Sequence, residues 1–257
     1  MFDFFTILHD HGMLLLMGQY PNGPLGGVLC TLLISLLAVL LSFPLGVLVG
    51  LARISPWRWL SWPAACWVYT LRGIPLMMVV FWTYFCVPLL MGQNISGFST
   101  MLCTLVIYES AYIAEIVRGG IQALPHGQYE ASRALGMSHL KTLRLVILPQ
   151  ALFNALPSLV SQLVSIIKDS TLGYVINVPE LTYAANQVSN QLLTKPFQVF
   201  AIVALSYYII CFSLTWLANR LERWVTEKRQ TAQPQRTVDD TDAALLFANR
   251  NLNKETP

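Results

Sequence analysis

Four consecutive residues carry the densest chemistry in this chain: Lys168, Asp169, Ser170 and Thr171. The carboxylate accepts from a cation, while the ammonium and the two hydroxyls donate to an anion, so the cluster suits a ligand bearing both charges. Its competing reading is charge pairing at a helix end. Glu109 is the second candidate. No Asp, Glu, Lys or Arg lies between Arg72 and Glu109, and an ionisable residue in so apolar a run is costly unless it faces a cavity or a partner. It marks either a polar pathway or a hydrogen-bonded carboxylate packing two helices. Glu115 and Arg118, three residues apart, pair on one helix face and read as structural. Arg72 opens an apolar run, either as an inner-gate or anchoring residue or as a side chain snorkelling to an interface. None of these groups forms a catalytic set. The chain has no HExxH, no GxSxG and no GxxxxGK[ST] phosphate loop. It is not expected to be an enzyme or to hold a metal, and no nucleic-acid partner is expected.

The elements positioning these residues follow from composition. Of 257 residues, 55% are hydrophobic and only 11% charged, against about 25% charged in a soluble domain. Charge-free gaps run from Asp10 to Arg53, Arg72 to Glu109, Arg144 to Lys168 and Lys195 to Arg220. Each gap holds a span of about 20 apolar residues, enough for a hydrocarbon core about 30 Å thick. The pattern predicts an all-α, polytopic integral membrane protein with about five transmembrane helices, near 25–52, 64–90, 98–121, 149–168 and 197–219. Thr31, Ser35, Ser42, Ser161 and Ser165 are small polar residues that let helices approach closely in lipid. The five cysteines lack CxxC spacing and read as buried apolar residues.

Lysines and arginines set the orientation. Residues 1–52 contain none, whereas Arg53, Arg58 and Arg72, then Arg118, Arg133, Lys141 and Arg144, then Arg220 and Arg223 fall on one side. Positive residues favour the cytoplasm, which places the N-terminus outside and the C-terminus inside. Residues 1–24 read as an outer interfacial segment without a signal peptide, and 226–257 as a polar, disordered tail with a short helix near Ala243–Asn249. Trp57, Trp59, Trp62 and Trp67 read as an interfacial aromatic belt.

Between the third and fourth spans lies a charged, helix-prone cytoplasmic segment. Pro125 suits a first helical turn, Gly136 a left-handed C-terminal corner, and Ser138 the cap of a second short helix that Pro149 would stop. Tyr129, Leu135 and Met137 offer apolar area to a partner, rimmed by His126, Arg133 and His139. From these residues the segment reads either as a docking loop or as a loop lying on anionic lipid.

The pattern Glu130-Ala131-Ser132, Gly136 and Val146-Ile147-Leu148-Pro149 resembles the EAA motif of the membrane subunits of bacterial ABC importers. Ser132 stands for the second alanine and Val146 for isoleucine; the spacing is intact. Leu71-Arg72-Gly73-Ile74-Pro75-Leu76 is similar to the Arg-Gly-Thr-Pro-Leu signature of polar amino-acid permeases, and Ser110 to Gln122 to their third-span hallmark. Lys168-Asp169-Ser170-Thr171-Leu172 resembles their Lys-Asp-Thr-Ser-Leu segment, with Val178-Pro179-Glu180-Leu181 following. The resemblance covers about residues 25–225. It implies a type I ABC importer transmembrane fold over 25–225, with a coupling helix near 125–136 in the bacterial inner membrane. It also implies an ATP-binding subunit as cytoplasmic partner, which would carry the ATP and magnesium. A periplasmic or lipid-anchored amino-acid-binding protein and a second permease, identical or sister, complete the expected assembly within membrane lipids. Glutamate, aspartate or a broad polar set is the expected cargo; a self-contained secondary transporter or channel is the alternative.

Overall fold

The structure, a computed structural model, describes residues 2–232, with side chains described for 4–227. The first helix, α1 (Phe2–Met17), precedes a tight turn into α2 (Gly27–Arg53). Turn after turn, α2 places a small residue on one face: Cys30, Thr31, Ser35, Ala38, Ser42, Gly46 and Gly50 are all buried. That stripe lies on α5 (Gly97–Gln122), the central helix of the bundle. A Cβ on Gly46 would sit 2.6 Å from Ile113 Cβ, and one on Gly50 would sit 2.8 Å from the Ala114 carbonyl. The two helices therefore meet nearly backbone to backbone, where dispersion rather than water exclusion supplies the attraction in lipid.

Between them the chain forms α3 (Arg58–Gly73) and α4 (Leu76–Met91), bent by 103°. This corrects the single straight span expected over 64–90. Pro75 has no N–H to continue a helix, and it forces Ile74 out of the α region, to φ −107 and ψ 136. The interrupted backbone is re-satisfied from another helix: Tyr108 Oη donates to the Ile74 carbonyl at 3.3 Å. Gly92 closes α4 with a left-handed residue at φ 64, and Ser96 caps α5 by accepting from the Ser99 amide at 3.1 Å.

After α5 come α6 (His126–Ala134) and α7 (His139–Thr142), then a π-helical turn over Leu143–Ile147 leading into α8 (Leu148–Asp169). Pro149 does not stop the short helix as expected. It lies at the first positions of α8, where its missing N–H costs little, and the π turn absorbs the mismatch. A 3-10 turn (Ser170–Ile176), α9 (Leu181–Leu192) and α10 (Pro196–Ala232) complete the described chain. α10 runs on past residue 226, where a polar tail was expected to begin; the short helix expected near Ala243–Asn249 lies outside the described residues.

Among the described residues, four helices are long and apolar enough to cross a membrane, or five if the bent α3–α4 pair is one span. One core joins Ile34, Val80, Leu105, Ile166 and Val178 from α2, α4, α5, α8 and the loop before α9. A second seats Ile7 and Leu15 of α1 on Val188, Val199 and Val203 of α9 and α10. The outward face carries Leu40, Leu48, Phe85, Leu89, Leu205 and Phe212, an arrangement stable only against hydrocarbon. The same logic corrects the cysteines: all five are free, but Cys66, Cys86 and Cys103 are exposed and only Cys30 is buried. In a bilayer an apolar thiol need not be buried in protein.

Candidate functional site

A cavity of about 290 Å³ opens beside the α3–α4 break, lined by Leu76, Tyr108, Glu109, Tyr112, Gln162, Ser165, Lys168 and Asp169. Glu109 on α5 is completely buried, and Gln162 of α8 donates to its Oε2 at 2.6 Å. Its Oε1 is buried with no hydrogen-bond partner. The Asp169 carboxyl is close enough to interact with that of Glu109. Lys168 is exposed at the cavity's mouth and Asp169 half-buried. Tyr108 and Tyr112 share a hydrogen bond at 3.2 Å on the adjoining wall. Leu76, the first residue of α4, lines the cavity, so the positive end of that helix lies at its edge. Broken helices at mid-membrane serve this purpose in transporters generally.

Glu109 bonds a neighbouring helix and also lines a polar cavity. Of the Lys168–Thr171 cluster, the structure brings only the first two residues to the cavity. Ser170 is buried with its hydroxyl on the Ile167 carbonyl at 2.8 Å, and Thr171 donates to the Lys168 carbonyl at 2.6 Å. The chain turns into a 3-10 helix there, and both hydroxyls satisfy the backbone instead of facing a ligand. Arg72 does not line the cavity; its guanidinium lies 5.2 Å from the Tyr112 ring centroid.

Glu115 and Arg118 pair as expected, with Arg118 donating to Glu115 Oε2 at 2.7 and 3.0 Å and to Gln122 at 2.6 Å. Sequence reasoning missed the third member. Arg53, at the end of α2, bonds Glu115 Oε1 and donates to Tyr69 Oη at 3.2 Å, tying α2, α3 and α5 at one end of the bundle. Its signal was its place as the first cation of the chain, which names no partner.

At the same end, α6 closes as the glycine corner requires. The Gly136 amide donates to the Arg133 carbonyl at 3.0 Å and the Met137 amide to Ser132 at 3.2 Å, with Gly136 at φ 80. This is the Schellman closure, in which glycine alone bears no Cβ penalty. Tyr129 Oη bonds His139 Nδ1 at 3.1 Å across the corner. Glu130, Ala131 and Leu135 are exposed, Tyr129 is marginally so and Met137 is half-buried. Ser132 is the exception among the expected docking residues: it is buried, and its hydroxyl donates to the Gln128 carbonyl at 2.7 Å. It faces inward because α6 packs on the π turn over Leu143–Ile147. The two halves of the spaced motif thus meet in space.

At the opposite end sits a second missed residue. Glu180 is completely buried ahead of α9 and accepts from the Thr182 and Tyr183 amides, both at 2.8 Å, and from Tyr207 Oη at 2.9 Å. It lies outside the membrane-spanning segments. Burial, opposed by these hydrogen bonds, lifts its carboxyl from the ordinary 4.5 to about 7. Its legible signal was an acidic residue one position before a helical stretch.

A helical bundle folded around an interior charged cavity, with a rigid helix–glycine–helix loop at one end, defines the membrane subunit of a type I ABC importer. The family model "Binding-protein-dependent transport system inner membrane component" matches residues 42–227, and the chain belongs to that family. It is 36% identical over 198 residues to the probable glutamine ABC transporter permease protein GlnP of Bacillus subtilis, covering 76% of this chain and 90% of the relative. It is 38% identical over 204 residues to the glutamate transport system permease protein GluD of Corynebacterium glutamicum, covering 77% and 73% respectively. Among solved structures, a chain from the crystal structure of an amino acid ABC transporter with histidines superposes at a TM-score of 0.75 and 30% identity, covering 86% of this chain and 98% of that one. The chain is thus an inner-membrane permease subunit of an amino-acid ABC importer.

Proposed function

We propose that this subunit provides the translocation path for a polar L-amino acid, with the cavity between α5 and α8 as the point where the substrate pauses. The observation that carries this reading is the juxtaposition of Glu109, Asp169 and Lys168 around one cavity. An α-ammonium finds an acceptor there. An α-carboxylate finds Lys168 and the N-terminal end of α4, which carries partial positive charge. A charge taken from water without a partner costs several kcal/mol, so paired charges here favour zwitterions over apolar solutes. The relatives named for glutamine and glutamate support an amino-acid cargo.

The chain itself carries no phosphate loop. ATP and magnesium are held by a cytoplasmic partner whose groove receives α6 through Tyr129, Glu130, Ala131, Leu135 and Met137; Gly136 sets the angle and Ser132 seats the helix from within. Closure of the partner's ATP-bound dimer draws two such loops together, one from this subunit and one from an identical or sister permease. That movement turns the cavity between inward- and outward-facing states, and an amino-acid-binding protein delivers substrate outside. The cytoplasmic end is the one bearing Arg53, Arg118 and Arg133.

Uptake by the reconstituted complex tests the reading. Transport is expected to require ATP and the ATP-binding subunit. Gly136→Val is expected to abolish stimulated hydrolysis while the protein still reaches the membrane, because a β-branched residue resists φ 80. Gly136→Asn, which tolerates the left-handed region, is expected to retain coupling. ATP-independent uptake by the chain alone would replace this reading with a secondary transporter.

A further inference from the structure

The tryptophans that read together as an aromatic belt divide into two sets in the structure. Trp67 turns inward and donates to the Ser110 hydroxyl at 3.2 Å. Trp57, Trp59 and Trp62 stay 62%, 72% and 71% exposed, and the rings of Trp57 and Trp59 stack 5.9 Å apart. Trp59 and Trp62 wall a groove of about 640 Å³ together with Arg53, Arg58, Ser61 and Ala65. The groove lies at the junction of α2 and α3 and shares no residue with the cavity lined by Glu109 and Asp169. No carboxylate lines it. Its polar groups are two guanidiniums, two indole N–H groups and one hydroxyl, all of which can donate. From this lining we infer that the groove binds an anionic phospholipid of the adjacent leaflet, with the phosphate on Arg58 and the acyl chains along Trp59 and Trp62.

Charge and shape both favour that occupant. Glu115 is shared by Arg53 and Arg118, and Arg58 is exposed and pairs with no carboxylate among the described residues. Three guanidiniums against one carboxylate leave two positive charges at this junction. A guanidinium offers its planar fork to two phosphate oxygens at once. A zwitterionic lipid brings its own cation beside Arg58 and gains less. A soluble anion meets the same donors but leaves the broad faces of two indoles uncovered, whereas a phospholipid covers both. The placement agrees. α3 is bent by 103° from α4, so with α4 crossing the bilayer the first turns of α3 lie along its surface. Indoles settle at that level, with their rings among acyl chains and their N–H groups toward the headgroups. The groove also adjoins the Arg53–Glu115–Arg118 tie, so a lipid seated there braces the joint between α2 and α3.

The test is native mass spectrometry of the assembled importer in detergent, titrated with dioleoylphosphatidylglycerol or dioleoylphosphatidylcholine. Phosphatidylglycerol is expected to bind at least roughly fivefold more tightly, and Arg58→Gln to remove roughly fivefold of its affinity while leaving phosphatidylcholine unchanged. Arg58→Lys, which keeps the charge without the fork, is expected to fall between the two. Trp62→Ala is expected to weaken both lipids, because it removes ring surface and no charge. Arg220 stacks on Trp216 with its guanidinium 5.0 Å from the ring centroid, another exposed arginine–tryptophan pair outside the groove, and Arg220→Gln is expected to leave phosphatidylglycerol affinity unchanged. Thermal unfolding gives a second reading: phosphatidylglycerol should raise the midpoint of the wild type and not of Arg58→Gln. Equal affinity for the two lipids, or equal losses in Arg58→Gln and Arg220→Gln, would overturn the site in favour of diffuse surface attraction. Displacement of the lipid by inorganic phosphate at comparable concentration would overturn the lipid as occupant and assign the groove to a free anion. Retention of no lipid by the assembled importer would show the groove to be covered by another subunit and would overturn the inference as well.

Discussion

At the scale of single residues, buried Glu180 and half-buried Glu115, both outside the cavity lined by Glu109 and Asp169, contribute to stability. Glu180 binds its proton more tightly in the fold than in the unfolded chain, because burial raises it to about 7 from 4.5. Where the native state holds more protons than the unfolded state, stability falls as pH rises. The contribution of Glu180 is thus complete below about 4.5, declines through about 7 and is flat above. Thermal unfolding in detergent across this range is expected to show that decline in the wild type and a flatter profile in Glu180→Gln. Equal profiles would show that Glu180 does not titrate in this window. Glu115 acts differently, as the shared acceptor for Arg53 and Arg118. Glu115→Leu leaves two guanidiniums facing each other at an end where the Arg53 side chain is only 10% exposed. Breaking such a pair costs about 3–5 kcal/mol, so the thermal midpoint should drop. Adding Arg53→Met should restore part of the loss, and strict additivity in that cycle would show the residues to be uncoupled.

At the scale of elements, the α2–α5 crossing and the α3–α4 break shape the cavity. The crossing depends on Gly46, where a Cβ would lie 2.6 Å from Ile113 Cβ and 3.1 Å from the Ser110 carbonyl. Helical backbone cannot yield there without moving α5, which carries Glu109. Gly46→Val is therefore expected to reduce the yield of folded protein sharply, whereas Gly119→Ala, with open space around its Cβ position, should leave yield unchanged. Normal yield and substrate binding in Gly46→Val would mean that the two helices do not touch as described. The break at Ile74–Pro75 could be read from the proline, since an X-Pro pair disfavours helix at the preceding residue. Its angle of 103° could not, because it depends on the packing of Leu76 and Val80 against α2, α5 and α8.

At the scale of the whole molecule, the two ends differ in character. Arg53, Glu115, Arg118 and the glycine-cornered loop gather at one end. The turn at Gly92, the start of α5 and the segment from Ile176 to Glu180 gather at the other, where a Cβ on Gly97 would lie 2.3 Å from the Ile176 carbonyl. From the asymmetry of positive charge, the first end is expected to face the cytoplasm. On a background lacking the native cysteines, a cysteine at position 94 should react with an impermeant thiol reagent added to intact cells, and one at position 139 should not. The reverse labelling would invert the topology and, with it, the direction of transport.

The sequence by itself determined the placement of four long apolar helices, because bilayer thickness and the cost of buried charge act on local composition. It determined the glycine corner as well, since the left-handed conformation is a property of one residue and its immediate neighbours. It also drew attention to Glu109, Lys168 and Asp169, because charges in or beside apolar runs stand out. Only the tertiary structure decided what those charges face. Gln162 reaches Glu109 across 53 positions of chain, Arg53 reaches Glu115 from another helix, and Ser170 and Thr171 turn away from the cavity beside them. Partners between helices are set by crossing angle and rotation, which arise from packing summed over whole surfaces. No local pattern encodes that sum, so the charge balance of the cavity, two carboxylates against one lysine, became visible only once the helices were placed together.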